Sequence, residues 1–198
     1  MKKNILILRH GKTKANLRKE YTGRIDYSLC DEGIFELKKI HNLLVSQFAQ
    51  PQVIFSSPMK RCIETSKIYY PNHKPILINN LREINFGIFE GKTYDELIHL
   101  KEFQNFVESS WQSKIPSGEQ PTDFSERCFK GFNEVIEYMI KIDLDYTVII
   151  CHGGVIMSLL YQISTDGKDF YDYYVENGKG YFIEYDTDSK KAEIIEKI

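Results

Sequence analysis

The feature that most constrains this chain is a short apolar run that ends directly in a charged and titratable pair. Residues Ile5 to Leu8 are all large and apolar, which is typical of a strand buried on both faces. Arg9 and His10 follow at once, and Gly11 then allows the backbone to turn and approach a ligand closely. Because open α/β sheets bind ligands at the carboxyl ends of their strands, we expect a ligand site here.

Apolar strands alternate with helical stripes along the rest of the chain. We predict strands at 53–55, 76–78, 148–150, 181–185 and 193–195, and helices at 31–48, 58–70, from an Asp123–Glu126 capping box to about 140, and at 154–163. Two short helices are predicted between 93 and 111. The alternation favours an α/β fold, a mostly parallel sheet with helices on both faces.

Length and composition narrow the class of protein. A chain of 198 residues suits one domain, 1–198, in which 92–122 forms a helical and loop cap. The net charge of −2, with no long block of either sign, indicates neither a nucleic-acid nor a membrane partner. Four widely spaced cysteines and the lack of a long apolar run favour a reduced, cytoplasmic protein without a metal site.

Three later stretches carry residues that suit the same chemistry as Arg9 and His10. Arg61 stands in Ser56–Thr65, Glu83 in Leu81–Gly91, and His152 in Cys151–Gly154. Each has an ordinary alternative: a solvated arginine, a surface carboxylate beside Arg82, and a structural histidine. Two His-Gly pairs that each end a strand of one parallel sheet are harder to explain that way, and helix amino termini such as the one at Gly153 attract anions.

Together these four stretches resemble the histidine phosphatase superfamily, also called phosphoglycerate mutase-like, from residue 5 to about 185. The matching motifs are Arg-His-Gly-x-Thr-x-x-Asn, Ser-x-x-x-Arg-x-x-x-Thr, Glu-x-x-x-Gly-x-aromatic-Glu-Gly and the late His-Gly. Phe89 stands where a tryptophan is more usual, and Cys30 replaces the usual threonine before the first long helix, so we expect Asp31 to cap that helix. The resemblance implies a three-layer α/β/α sandwich.

The resemblance also implies a role for each matching residue. His10 is the nucleophile that forms a phosphohistidine, Glu83 the general acid and base, and Arg9, Arg61 and His152 hold the phosphoryl group. Substrate contacts are expected from Asn16, Thr22, Gly23 and Gly153, and Glu90 is expected to be a structural or surface residue rather than a second acid. Arginines take the place of a metal, so no cofactor is expected. Trp111, Tyr171, Tyr173 and Tyr174 either cover a substrate or pack, and packing is favoured.

The expected activity is that of a histidine acid-type phosphatase, which hydrolyses a small phosphorylated metabolite. The late Asn177-Gly178 turn and the Pro116–Glu119 loop look somewhat like those of α-ribazole phosphatases. A cofactor-dependent mutase needs the same residues, but only 24 residues separate Gly91 from Pro116, whereas the mutases resemble longer chains with an insertion there. A non-catalytic phospho-ligand binding module is the other alternative. The chain is expected to be a monomer or a homodimer.

Overall fold

The fold is a central sheet with helices on both faces, and the computed structural model describes residues 1–109 and 113–198 of it. The strands are β1 (Lys2–Arg9), β2 (Ile54–Ser56), β3 (Ile76–Leu77), β4 (Tyr146–Cys151), β5 (Gly180–Asp186) and β6 (Lys191–Lys197). The helices are α1 (Lys14–Leu17), α2 (Asp31–Gln47), α3 (Lys60–Tyr69), α4 (Tyr94–Leu97), α5 (Lys101–Glu108), α6 (Pro121–Lys141) and α7 (Gly153–Ile163). Short 3₁₀ turns lie at Asn79–Leu81, Gly87–Phe89 and Phe170–Tyr173.

The strand order brings together chain segments that are distant in sequence. In the described residues the sheet runs β3-β2-β4-β1-β5-β6. The first four strands in that order pair in parallel, and β5 and β6 add an antiparallel hairpin, which confirms the predicted mostly parallel α/β sandwich. Because Arg9 pairs with Cys151 and Ser56 with Ile150, the ends of β1, β4 and β2 lie side by side at one edge.

Both faces of β1 are buried, as its uninterrupted apolar run predicts. Ile5 and Ile7 belong to the cluster that contains the buried faces of α6 and α7, whereas Leu6 and Leu8 pack with α2 and α3 on the other face. Side chains of a strand alternate between the two sides. The run therefore supplies one row to each helical layer, and this rigid strand fixes the position of the residues at its end.

Two predicted helix caps are wrong, and one of them also misplaces the start of its helix. Helix α6 begins at Pro121, not at a capping box opened by Asp123: proline has a preset φ and no N–H to satisfy, so it starts the helix earlier and Asp123 lies in the first turn. Helix α2 is capped by Cys30, whose Sγ accepts from the Gly33 N–H at 3.4 Å, and not by Asp31, which is the first helical residue.

The segment 92–122 packs on the loop that follows α1. The Tyr21 N–H donates to the Lys92 carbonyl at 2.9 Å and the Gly91 N–H donates to the Tyr21 carbonyl at 2.8 Å. The rings of Tyr21 and Tyr94 both pack edge-on against Phe103 of α5. Trp111 lies outside the described residues. None of the helices described combines the length and the apolar character that crossing a membrane requires.

Candidate active site

His10 lies just beyond the end of β1, with its ring fixed by the carbonyl of the next residue, Gly11. The ring is 5 % exposed, and its Nδ1 lies 2.7 Å from the Gly11 carbonyl oxygen. Since a carbonyl oxygen only accepts, Nδ1 carries the proton and Nε2 keeps its lone pair. Burial, and then the charges of Arg61 and Arg9, hold the pKa of this imidazole well below its usual range, against the opposing effect of the Gly11 hydrogen bond. The ring is therefore a neutral base with Nε2 available.

Arg9, at the last position of β1, is held from two sides. Its Nη1 donates to the Val175 carbonyl at 2.7 Å, and its Cζ lies 5.6 Å from the centre of the Tyr174 ring. A Cβ at Gly153 would come within 3.3 Å of the guanidinium, so glycine there lets the arginine lie against the start of α7. The Arg9 Nε is buried without a hydrogen-bond partner.

Arg61, in the first turn of α3, is almost completely buried, with 1 % exposure. Its Nη2 donates to the Gly23 carbonyl at 2.8 Å and its Nη1 to the Ile25 carbonyl at 3.0 Å. Its Nε lies 3.3 Å from Nδ1 of His152. The alternative of a solvated arginine is wrong, because the side chain is buried and its described hydrogen bonds go to two loop carbonyls and to His152.

His152 follows β4 and packs edge-on against His10, with ring centroids 5.1 Å apart. Arg61 Nε can only donate, so Nδ1 of His152 accepts, and the proton on Nε2 goes to Ser57 Oγ at 2.8 Å. Burial, then the charge of Arg61, hold the pKa of this imidazole well below its usual range, with smaller effects of His10 and Arg9. Both imidazoles are thus held in the neutral form.

Glu83 supplies a buried carboxyl group to the same place. Its Oε2 accepts from the Gly154 N–H and its Oε1 from the Ile84 N–H, both at 3.0 Å. Burial raises the pKa of this carboxyl above its usual value, and the two N–H groups and then the charges of Arg61 and Arg9 oppose the rise. The alternative of a surface carboxylate is wrong, because the side chain is 8 % exposed and its described partners are backbone N–H groups.

The charge of this cluster is unbalanced. Within residues 1–109 and 113–198, neither Arg9 nor Arg61 forms an ion pair with a carboxylate. A buried guanidinium that bonds only to carbonyls and a neutral imidazole leaves a positive charge uncompensated. The arrangement is complementary to an anion with several oxygen atoms, to which guanidinium groups offer forked donors.

Of the four residues predicted to touch substrate, two border the cluster and two bond to other groups. Gly23 and Gly153 border the cluster directly through their contacts with Arg61 and Arg9. Thr22 precedes Gly23 in the same loop, and its hydroxyl donates to the Glu20 carbonyl at 3.4 Å. Asn16 lies at the start of α1, where its Oδ1 accepts from the N–H and the hydroxyl of Thr13. The side-chain oxygen of Asn16 is therefore part of the capping box at the start of α1.

Among the tyrosines, Tyr173 is buried and its hydroxyl donates to Asp166 Oδ1 at 2.5 Å. This agrees with the packing alternative for that residue. Tyr171 and Tyr174 are about half exposed, and Tyr174 lies against Arg9 as described above. Cys151 is buried beside His152, and burial raises the pKa of its thiol well above the usual value, as expected for an inert cysteine.

Glu90 organises the loop that Arg61 binds. Its carboxylate accepts from the backbone N–H groups of Gly23, Arg24, Ile25 and Phe86, at 2.8 to 3.3 Å. The carbonyls of that same loop receive the Arg61 guanidinium. Glu90 therefore acts on the cluster through the loop, in line with the structural role expected for it.

Two contributors were not predicted as site residues. Ser57 follows β2 and bonds to His152, and its position at the end of a strand next to β4 is a signal that sequence reasoning had available. Asn177 donates from Nδ2 to the His10 carbonyl at 3.0 Å, a contact across 167 positions that no local pattern indicates. In the part of the chain that the structure describes, no three His, Cys, Asp or Glu side chains converge as a metal site requires.

Comparison with known proteins gives the same assignment as the motifs. Residues 5–196 match the histidine phosphatase superfamily (branch 1). A phosphoglycerate mutase-like protein 4 of Arabidopsis thaliana is 27% identical over 161 residues, covering 78% of this chain and 68% of its own. An adenosylcobalamin/alpha-ribazole phosphatase of Salmonella typhimurium is 25% identical over 181 residues, covering 87% and 85%.

The fold is shared with solved structures as well. A putative alpha-ribazole-5'-P phosphatase from Escherichia coli superposes with a TM-score of 0.83 at 22% identity, covering 97% of this chain and 94% of the other. At that identity the likeness concerns the fold. The match over residues 5–196 concerns nearly the whole sequence, and this chain belongs to the histidine phosphatase superfamily.

Proposed function

We propose that the protein is a phosphomonoesterase that hydrolyses a small phosphorylated metabolite through a phosphohistidine on His10. The observation that carries the proposal is the unprotonated Nε2 of a neutral, buried imidazole beside two arginines that form no ion pair with a described carboxylate. A nucleophile of this kind attacks phosphorus in line with the leaving oxygen and divides one difficult step into two easier ones.

Arg9, Arg61 and His152 stabilise the charge that spreads over the non-bridging oxygens during transfer. Arg9 has an Nε without a partner. The two terminal nitrogens of Arg61 each use one donor on a loop carbonyl, so one N–H remains on each. These donors are fixed before substrate arrives, which lowers the reorganisation needed in the transition state.

Glu83 is the general acid for the leaving alkoxide and then the general base for the attacking water. An acid must hold a proton at the working pH, and burial favours that state of this carboxyl. The N–H groups of Gly154 and Ile84 fix its orientation. The mechanism needs no metal or cofactor.

The decisive experiment is to trap the intermediate. Wild-type enzyme quenched in alkaline detergent during turnover of a ³²P-labelled ester should carry a phosphoryl group on His10 that is stable in base and released by acid. His10→Ala should carry none and release no phosphate, whereas His99→Ala, at an exposed position, should behave as wild type. Full turnover by His10→Ala would refute the assignment.

For the substrate, we propose a screen of sugar phosphates, phosphoglycerates, nucleotides and α-ribazole 5'-phosphate. The last is included because two of the proteins compared above are named as phosphatases of that compound. A mutase uses the same residues, and the name of the Arabidopsis relative keeps that alternative under test. Release of free phosphate from a phosphoglycerate without formation of its isomer would favour the phosphatase.

We further propose that the whole chain acts as one cytoplasmic domain, monomeric or homodimeric, in which 92–122 caps the site. The contacts of that segment with Tyr21 support the cap, because Tyr21 lies in the loop that leads to Gly23. Replacement of the exposed Tyr94 of this segment by alanine should then leave phosphohistidine formation from a small ester and lower the preference among larger ones.

A further inference from the structure

We propose that Asn177 is a positioning residue for His10, which sets the orientation of the imidazole through the His10–Gly11 peptide group. The inference rests on the proposed role of His10 as nucleophile. Its basis is a set of hydrogen bonds that meet on that one peptide group from segments 54 and 167 positions away.

The carbonyl of His10 is held from the entry to β5. Asn177 Nδ2 donates to it at 3.0 Å, and since the acceptor is a carbonyl oxygen, the amide nitrogen must be the group that faces it. The Gly178 N–H also reaches this oxygen at 3.2 Å, but it is shared with the Arg9 carbonyl at 3.1 Å. Asn177 is therefore the one described donor directed at the His10 carbonyl alone.

The other side of the same peptide group is held from α3. The Gly11 N–H donates to Thr65 Oγ1 at 3.0 Å, and that hydroxyl donates to the Arg61 carbonyl at 2.7 Å. A peptide group is planar, so fixing its C=O and its N–H on opposite sides fixes its rotation. The carbonyl that follows, that of Gly11, accepts the Nδ1 proton of His10 at 2.7 Å.

The consequence is a chain of three contacts from Asn177 to the nucleophile. The amide holds the His10 carbonyl, the peptide plane fixes the amino side of Gly11, and the Gly11 carbonyl selects the tautomer with the proton on Nδ1. Loss of the amide leaves that plane held by the shared Gly178 N–H and by Thr65 only, which loosens it and weakens the last contact. The ring then shares its proton between Nδ1 and Nε2, and Nε2 no longer points constantly at phosphorus.

The test compares Asn177→Ala and Asn177→Leu with a matched control, Asn80→Ala. Asn80 also uses its amide in one side-chain bond, to Glu134, outside the site. The tautomer of His10 is read from ¹⁵N NMR shifts of its ring nitrogens in the folded enzyme without substrate. Single-turnover phosphorylation gives the rate of phosphohistidine formation, and inhibition by inorganic phosphate reports on the arginines.

We expect the wild type and Asn80→Ala to show the Nδ1-protonated form, and both Asn177 variants to show a mixture. Phosphohistidine formation in those variants should slow by about 10- to 100-fold, as a displacement of less than 1 Å can cause. The inhibition constant for phosphate should stay within about threefold.

An unchanged tautomer in two folded Asn177 variants would overturn the proposal. So would an equal loss in phosphorylation rate and phosphate affinity, which indicates general damage to the fold. The NMR measurement of the His10 tautomer does not require turnover. A wild type that releases phosphate from no ester would therefore refute the proposed function, and the tautomers of the Asn177 variants would still test this inference.

Discussion

Two adjacent glycines at the start of α7 allow the roles of Arg9 and Glu83 to be separated. A Cβ at Gly154 would lie 2.5 Å from Glu83 Oε1, whereas carbon and oxygen atoms in contact stay about 3.3 Å apart or more. In Gly154→Ala the carboxyl must therefore retreat by roughly 0.8 Å. The backbone N–H remains, but its bond to Oε2 is stretched. A displacement near 1 Å of a catalytic group costs on the order of 100-fold in rate.

The size of the loss should depend on the leaving group. An alkyl phosphate needs its departing oxygen protonated, whereas p-nitrophenolate leaves without help from an acid. We expect kcat for an alkyl ester to fall about 30- to 100-fold in Gly154→Ala, and kcat for p-nitrophenyl phosphate to fall about threefold or less. In Gly153→Ala the new Cβ lies 3.3 Å from the Arg9 guanidinium, which is a milder contact. Because Arg9 is proposed to hold the phosphoryl group that both esters share, kcat should fall by the same smaller factor for both.

The assay is steady-state release of phosphate from the two esters by wild type and both variants, with thermal unfolding measured in parallel. Alanine has a higher helix propensity than glycine by about 1 kcal/mol, which offsets part of any strain at this helix start. Equal losses on both esters in Gly154→Ala would show that Glu83 does not act on the leaving group. Unchanged kinetics would show that the carboxyl does not occupy the position described.

Three further predictions concern pH and the loop at Gly23. kcat/KM should fall as pH rises through the raised pKa of Glu83, because the protonated acid is lost, and Glu83→Gln should abolish this fall. If the fall persists in Glu83→Gln, a different group is responsible for it. The lowered pKa of His10 and His152 means that the unfolded chain binds more protons below pH ~6.5. The free energy of unfolding is therefore unaffected by these histidines above that pH and falls below it, by about 1.4 kcal/mol per histidine and pH unit. Urea unfolding of the wild type and of His152→Gln at pH 7 and 5.5 measures this fall. An equal fall in the two proteins would contradict the prediction. Glu90→Gln should lower stability by about 1.5–3 kcal/mol, since an amide accepts fewer of the loop N–H groups, and should raise KM and the phosphate inhibition constant together; a change in kcat alone would contradict the indirect role.

The sheet was predictable because its strands have strong patterns. The apolar runs at Ile5 and Val148 sit in buried strands that pair with each other, and the histidine that follows each run indicated the shared edge. Helix starts were less predictable, since α6 depends on whether Pro121 or Asp123 opens the first turn. That choice is made by the chain that precedes the helix, which a local motif does not describe.

The cluster was predictable to the extent that its members follow strands or stand in motifs. The sequence around Arg61 and Glu83 does not indicate that these side chains are buried, and only the resemblance to the family assigned them to the site. Asn177 and Ser57 were missed as site residues because their partners are backbone or imidazole atoms far away in sequence. Contacts of that kind depend on strand order, and strand order is set by the packing of whole layers.

The charges around His10 and His152 are arranged to suit an anion. Arg9 and Arg61 form no ion pair with a carboxylate in the described structure, and burial together with the charge of both arginines lowers the pKa of His10 and His152. A phosphoryl dianion among them reverses that effect, because a nearby negative charge favours protonated imidazole. We expect His152 to gain a proton at Nδ1 when such a dianion binds, and the hydrogen bond from Arg61 Nε is then lost. In the proposed mechanism His10 gives its Nε2 lone pair to phosphorus and cannot take that proton. The two histidines are therefore expected to respond differently to the same ligand, because His10 is bonded to the Gly11 carbonyl and His152 to Arg61 and Ser57.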